Sequence, residues 1–286
     1  MLLLSFEKAG QKGLAAADGD EFRGLTADSP LYPGDLDSLL AAGADLTAVG
    51  RKLLAQGPPV DLESIRFLPP LGRPGKIICL GLNYQDHSAE FGQKTPLAYP
   101  EVFGRFPSSL VGHNQPMLKP SLSDSFDYEG EMAMIIGRGG RLIDRSKALE
   151  HVAAYSVFND GTVRDFQWRV SQWTVGKNFD GSGAFGPWLV TADSLPEGAK
   201  GLRLSTRLNG TVLQEASTSD MIFDIAAQIE LVSQAMTLEP GDVFVTGTPG
   251  GVGHTRKPPI YMKEGDICEI EIEGLGLLRN PIALGR

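Results

Sequence analysis

Cysteine is nearly absent from this chain. Its two copies, Cys79 and Cys268, stand apart inside apolar runs, which argues against a disulfide framework or a thiolate zinc site and suits a reducing compartment. Long apolar runs are missing too. No stretch approaches the roughly 18 residues of a membrane-spanning helix. The opening Met1-Leu2-Leu3-Leu4-Ser5-Phe6-Glu7 is too short and too soon charged for a signal peptide. A soluble, cytoplasmic protein is the expectation. Basic excess is absent as well: the net charge of −9 argues against nucleic acid or an anionic membrane as partner. There is no Gly-x-Ser-x-Gly nucleophile elbow. The glycines of Thr246 to Gly253 are not followed by the Gly-Lys-Ser/Thr of a nucleotide loop, and Gly137-Arg138-Gly139-Gly140 reads as a turn after a strand. His113, His151 and His254 have no partners at ligand spacing and read as ordinary polar histidines.

What is present are turn formers and short apolar runs. The 35 Gly and 19 Pro among 286 residues suit many short strands joined by turns. Strands are expected at Ile77 to Leu82, Met132 to Ile136, Val152 to Phe158, Leu202 to Leu208, Val243 to Thr246 and Ile267 to Ile272. The clearest helix is Met221 to Thr237, with apolar Ile222, Ile225, Ala226, Ile229 and Val232. Residues 1–70 differ: a short apolar strand, Gly/Asp turns, then helix-like spacing from Leu36 to Leu54 that Pro58-Pro59 stops. Leu68-Pro69-Pro70 and Arg73-Pro74-Gly75 make a stiff linker. The reading is a small N-terminal α/β domain over 1–70 and a β-rich domain over 71–286. The whole is α+β, with a mixed β-roll or barrel rather than alternating βαβ units.

Chemistry concentrates in Asp127-Tyr128-Glu129-Gly130-Glu131-Met132. If this run is a strand, its period of two puts Glu129 and Glu131 on one face, and Gly130 leaves the other face open to close approach. Two anions on a half-buried face repel one another and lose hydration, so a cation is expected there, a hard divalent ion being the simplest. An exposed face with alternating Glu, as in Glu269 to Glu273, is the plainer alternative. A third carboxylate, Asp160, follows the apolar run Val152 to Phe158 at the mouth of a strand. Arg164 and Gln167 are three apart on a helical turn and share a face, and Lys177 follows. The plain readings are a surface ion pair of Arg164 with Asp160 or Asp165, and a solvated Lys177.

Taken in order, these pieces resemble the fumarylacetoacetate hydrolase family. They are Gly81-Leu82-Asn83-Tyr84 with His87 and Glu90; Phe106-Pro107-Ser108-Ser109-Leu110; Asp127 to Glu131; Asn159-Asp160 with Arg164, Asp165 and Gln167; Gly176-Lys177; and Gly186-Pro187-Trp188. Asn209-Gly210 with Gln214, Pro240-Gly241-Asp242 and Thr246 to Gly253 complete the set, so the resemblance runs from about 75 to 283. Two positions depart: Gly130 stands where many relatives carry a bulkier residue, and Arg105 where lysine is common. The resemblance implies a β-rich roll, usually a homodimer. It implies Glu129, Glu131 and Asp160 as ligands of Mg2+ or Mn2+, with Ca2+ as a crystallographic substitute. Lys177 would orient ligand beside the ion, Arg164 and Gln167 would line the substrate side, and Thr248 would contact the substrate's carboxylate end. His87 and Glu90 would be a water-activating dyad on a mobile lid spanning about Tyr84 to Pro100.

Three carboxylates would leave a magnesium ion open positions that a 2-oxo acid could take by chelation. The expected activity is therefore metal-dependent hydrolysis of the carbon–carbon bond of a 2,4-dioxo acid such as an acylpyruvate. Isomerisation of a 2-hydroxymuconate-type dienoate or decarboxylation of a 2-oxo diacid on the same site is the runner-up. A metabolite-binding protein without turnover is the reading from another class.

Overall fold

The computed structural model describes residues 1–19, 21–92 and 98–285. Its frame is a mixed sheet whose main path runs Arg23–Thr26, Gln11–Ala17, Leu2–Lys8, Gly183–Thr191, Val152–Asn159, Gly130–Ile136, Val243–Val245, Ile77–Gly81 and Glu101–Gly104. Neighbours are antiparallel except Val243–Val245 with Ile77–Gly81. A five-stranded sheet, Thr211–Ser217, Arg203–Leu208, Ile267–Ile272, Gly276–Gly285 and Met117–Pro120, lies against it. The chain is thus the β-rich α+β roll expected from its turn content.

The strand Gly130–Ile136 sits between two cores, and all seven of its residues are buried. Met132, Met134 and Ile136 join one cluster with Leu204, Ile270 and Ile272 of the second sheet and with Ile225, Ile229 and Val232 of the helix Ile225–Ala235. Ala133 and Ile135 face the other way, toward Cys79, Val245 and the N-terminal helical residues Leu40, Val49 and Leu53. The period of two sorts them. Gly130 begins this strand because nothing larger fits. A Cβ there would lie within van der Waals overlap of Thr206 Oγ1, on the second sheet.

Residues 1–70 supply strands to the same main sheet. Leu2 and Leu3 pair with Val190 and Leu189, so hydrogen bonds cross the linker boundary. The helix expected over Leu36 to Leu54 is two helices, Leu36–Ala41 and Leu46–Gln56, broken at Gly43 with φ of 68°. Asp35 and Asp45 each accept a backbone N–H as N-caps. The helix expected from Met221 starts at Ile225, behind the Asp224 cap. The preceding backbone is taken elsewhere: Ile222 N donates to Asn83 O at 2.8 Å and Phe223 N to Asn83 Oδ1 at 2.7 Å. Asn83 Nδ2 also donates to Thr246 O at 2.7 Å. One asparagine therefore ties the start of the lid segment to two loops around the site. No helix among the described residues is long and apolar enough to cross a membrane.

Candidate active site

Glu131 belongs to Gly130–Ile136, Glu129 directly precedes it, and Asp160 directly follows Val152–Asn159, which pairs beside it in the sheet. Asp160 N donates to Glu129 O at 2.9 Å, which locks the two strand ends together. Register alone brings the three carboxylates within 4.8 Å of one another, all buried. Buried anions need compensation, and the chain provides it from distant segments. Lys177 Nζ bridges Glu129 Oε2 at 2.6 Å and Asp160 Oδ2 at 2.5 Å. Arg105 Nη1 donates to Asp160 Oδ1 at 2.5 Å and, through its other nitrogens, to Ser109 and Ser182 hydroxyls. Arg164 Nε donates to Asp127 Oδ2 at 2.9 Å.

Arg164 and Lys177 are thus neither surface-paired nor solvated, as the plainer readings had it. Arg164 pairs with Asp127 and Glu129, not with Asp160 or Asp165, and each cation is 2% exposed. Asp127 is a keystone of its own. Besides Arg164 it accepts N–H groups from Tyr128, Gly253 and His254, so it pins the 251–254 loop to the site.

The charges do not balance. Among the described residues, Asp127, Glu129, Glu131 and Asp160 oppose Arg105, Arg164 and Lys177, and the surplus falls on Glu131, whose one hydrogen bond there is from the Gly247 N–H at 2.5 Å. Burial, then the Asp160 and Glu129 carboxylates, push the Glu131 carboxyl well above the usual range. Burial would also raise Glu129, but Lys177 and Arg164 outweigh it and hold that group down at about 2. An all-oxygen donor set with one uncompensated negative charge fits a hard divalent cation, with Glu129, Glu131 and Asp160 as its holders.

This yields a pH test. A raised carboxyl keeps its proton when the unfolded chain has lost one, so metal-free protein loses stability as pH rises above the ordinary glutamate value of 4.5. A divalent ion must displace that proton, so its affinity should climb with pH and its uptake should release a proton. Glu131→Gln should abolish both trends and weaken Mn2+ binding by at least about tenfold without unfolding the chain, since Gly247 keeps an acceptor. Calorimetry in buffers of differing ionisation enthalpy reads the proton count; equal release from both proteins would refute the assignment.

His87 sits on a short helix, Gln85–Glu90, closed over the cluster. Its Nδ1 lies 3.3 Å from Glu90 Oε2, and Glu90 Oε1 accepts Gly251 N–H at 2.8 Å. Burial works to raise Glu90, yet the His87 and Gly251 bonds bring it below the usual range. His87 is 5% exposed, and its Nε2 has no hydrogen-bond partner among the described residues. In the expected lid segment, Gln85–Glu90 is this helix, and 93–97 lie outside the described residues.

One cavity of about 340 Å3 gathers His87, Glu129, Glu131, Arg164, Gln167, Lys177 and Thr248 in its wall. That size is at the small end for ligand sites. Gln167 Oε1 accepts from Arg164 Nη1 at 3.0 Å, which leaves its amide N–H groups for a ligand. Arg164 Nη2 lies 2.7 Å from Glu129 Oε1 but out of line, and it has no hydrogen-bond partner among the described residues. Thr248 lines the cavity with its hydroxyl bonded to Gly130 O at 3.0 Å and to Gln214 Nε2 at 2.8 Å. Sequence reasoning noted Arg105 only as a departure, read His254 as an ordinary polar histidine, and gave Phe91, Trp168 and Trp173 no role at the site. His254 stacks on Phe91, ring centres 6.4 Å apart, at the cavity's edge.

The model of the fumarylacetoacetate (FAA) hydrolase C-terminal family matches residues 76–283. The human protein named oxaloacetate tautomerase FAHD2A, mitochondrial, is 40% identical over 273 residues, which covers 94% of this chain and 86% of that one. Among solved structures, a fumarylacetoacetate hydrolase from Exiguobacterium antarcticum superposes with a TM-score of 0.87 at 35% identity, covering 100% of both chains. A maleylpyruvate hydrolase from Sphingobium sp. SYK-6, in complex with manganese(II) and pyruvate, does so at 0.82 and 28% identity, again over 100% of each. On the matched domain and on a relative of nearly full length, this chain belongs to the fumarylacetoacetate hydrolase family.

Proposed function

We propose that this chain is a metal-dependent enzyme that moves a proton at the carbon beside the keto group of a small 2-oxo acid, interconverting keto and enol forms. The observation that carries this reading is the joining, at one small cavity, of a buried carboxylate cluster short of one positive charge with a histidine whose Nε2 has no hydrogen-bond partner among the described residues. The similarity to oxaloacetate tautomerases over almost the whole chain supports it.

Glu129, Glu131 and Asp160 would hold Mg2+ or Mn2+, which when bound supplies the Lewis acidity that makes the carbon beside a keto group easier to deprotonate. The chain's own residues do the rest. Arg164 Nη2, ion-paired with Glu129 but without a hydrogen bond among the described residues, and the Gln167 amide would take the substrate carboxylate. Lys177 would hold negative charge near the keto oxygen. His87 would take and return the carbon's proton through Nε2, with Glu90 fixing the ring's orientation. Thr248 would steady the cavity wall beside Gly130.

Hydrolysis of a 2,4-dioxo acid is the second reading, favoured by the hydrolase structures that superpose on this one. It uses the same dyad on water in place of a carbon acid. Enol-to-keto conversion of oxaloacetate, followed by loss of enol absorbance with and without Mg2+, should be accelerated by the protein only with the ion. Release of 18O-labelled carboxylic acid from an acylpyruvate in labelled water would adopt hydrolysis instead, and activity of neither kind would discard both. The proposal extends to a homodimer in the cytoplasm, the assembly being checked by light scattering.

A further inference from the structure

The cavity does not end at its charged head. Lys177 Nζ lies 5.0 Å from the centre of the Phe103 ring, and the His87 ring lies 5.1 Å from Phe91. From these two points an aromatic wall runs on: Phe103 to Trp173 at 5.4 Å, Trp173 to Trp168 at 6.1 Å, and Trp168 to Phe91 at 5.8 Å. All four rings line the same cavity as the carboxylates. They come from three separate stretches of chain, so their convergence is a property of the fold, not of one apolar segment. Trp168 is 46% exposed, so its indole presents open surface at the cavity while resting on Phe91 and Trp173.

The strand end beneath this wall is shaped for it. A Cβ on Gly81 would lie within overlap of the Trp173 ring, so only glycine lets the indole rest there. Among the described residues, the charge lining this part of the wall has one sign. Glu101 is there, and the cations of the lining, Arg164 and Lys177, are engaged at the head. A second carboxylate would meet the negative faces of the rings and an anion. A flat uncharged group would meet matching surface.

We infer that Trp168 and Trp173, with Phe91 and Phe103, form a tail subsite that selects 2-oxo acids bearing an aromatic or flat unsaturated uncharged group beyond the reacting carbon. This rests on the reading that the 2-oxo acid head sits at the carboxylate cluster. It serves either chemistry proposed there, and it favours such tails over the second carboxylate of a short diacid without closing the head to one.

The test is calorimetry on the full chain loaded with Mg2+, using oxalate as a head-only probe, pyruvate as the tail-less acid, 2-oxoglutarate as the carboxylate-tailed one and phenylpyruvate as the aryl-tailed one. Phenylpyruvate should bind at least about tenfold tighter than pyruvate, the lower end of what apolar pockets discriminate, and tighter than 2-oxoglutarate. It should also shift tryptophan emission. Trp168→Ala and Trp173→Ala should each cut the phenylpyruvate-to-pyruvate ratio several-fold, and Trp168→Phe should keep most of it, with melting curves showing that each variant is folded. A preference for 2-oxoglutarate, or a ratio untouched by both alanine variants, would overturn the subsite. Failure of oxalate and pyruvate to bind would instead overturn the head assignment, and the tail with it.

Discussion

His87→Ala is expected to slow turnover of a 2-oxo acid by ~10²–10⁴-fold, the range of a lost general base, with little change in Mn2+ affinity. The ring is buried, lines the cavity beside the carboxylates and touches none of them in hydrogen-bond contact; its polar partner is Glu90 at 3.3 Å. Removing it takes away a proton carrier but no ligand of the cluster. Glu90→Gln should cause similar but smaller damage, because the amide still fills the place but fixes the ring's orientation less firmly. Steady-state kinetics with Mn2+ titrated by electron paramagnetic resonance separates the two effects. If His87→Ala keeps full turnover, the dyad is a structural clasp and the proton carrier lies elsewhere.

The second large effect concerns stability. Lys177→Met should destabilise the metal-free protein by about 3–5 kcal/mol, the cost of leaving buried charges without their partner. Lys177 Nζ is shared by Glu129 and Asp160 at 2.6 and 2.5 Å, and burial opposes its charge less than those two carboxylates favour it, so its pKa is raised. Methionine keeps most of the apolar stem and is one atom shorter, so the loss reports chiefly the ammonium and its hydrogen bonds. A divalent ion compensates the same carboxylates, so saturating Mn2+ should recover much of the loss. Urea unfolding with and without the ion reads both numbers. A variant as stable as the parent without metal would mean that the ammonium contributes nothing to holding the cluster.

The acidic triad was legible because carboxylates inside apolar, β-branched runs are costly and demand a reason. Glu129 and Glu131 on one side of Gly130, and Asp160 at the end of Val152–Asn159, came together as period and turn signals implied. Their cations were harder to read. Arg105 reaches Asp160 across 55 positions and Arg164 reaches Asp127 across 37, and periodicity tells which face a residue is on without telling what that face meets. The helix start at Ile225 was misjudged from Met221 because apolar spacing continues through residues whose backbone Asn83 claims. The aromatic wall was invisible for the same reason. Phe91, Phe103, Trp168 and Trp173 follow no shared repeat, and three-dimensional closure alone makes neighbours of them. The family resemblance covered that gap for the head of the site and not for its tail.

The pairing of Leu2 and Leu3 with Val190 and Leu189 has a consequence for anyone who trims this chain to its family-matched region. A cut near residue 75 falls in a linker, yet it would strip the strand that seals one side of Gly183–Thr191. That strand would then offer free N–H and C=O groups beside buried Leu189 and Val190, a template on which other copies could add. The N-terminal segment would therefore act as a seal against self-association, and solubility would be lost before the carboxylate cluster came apart.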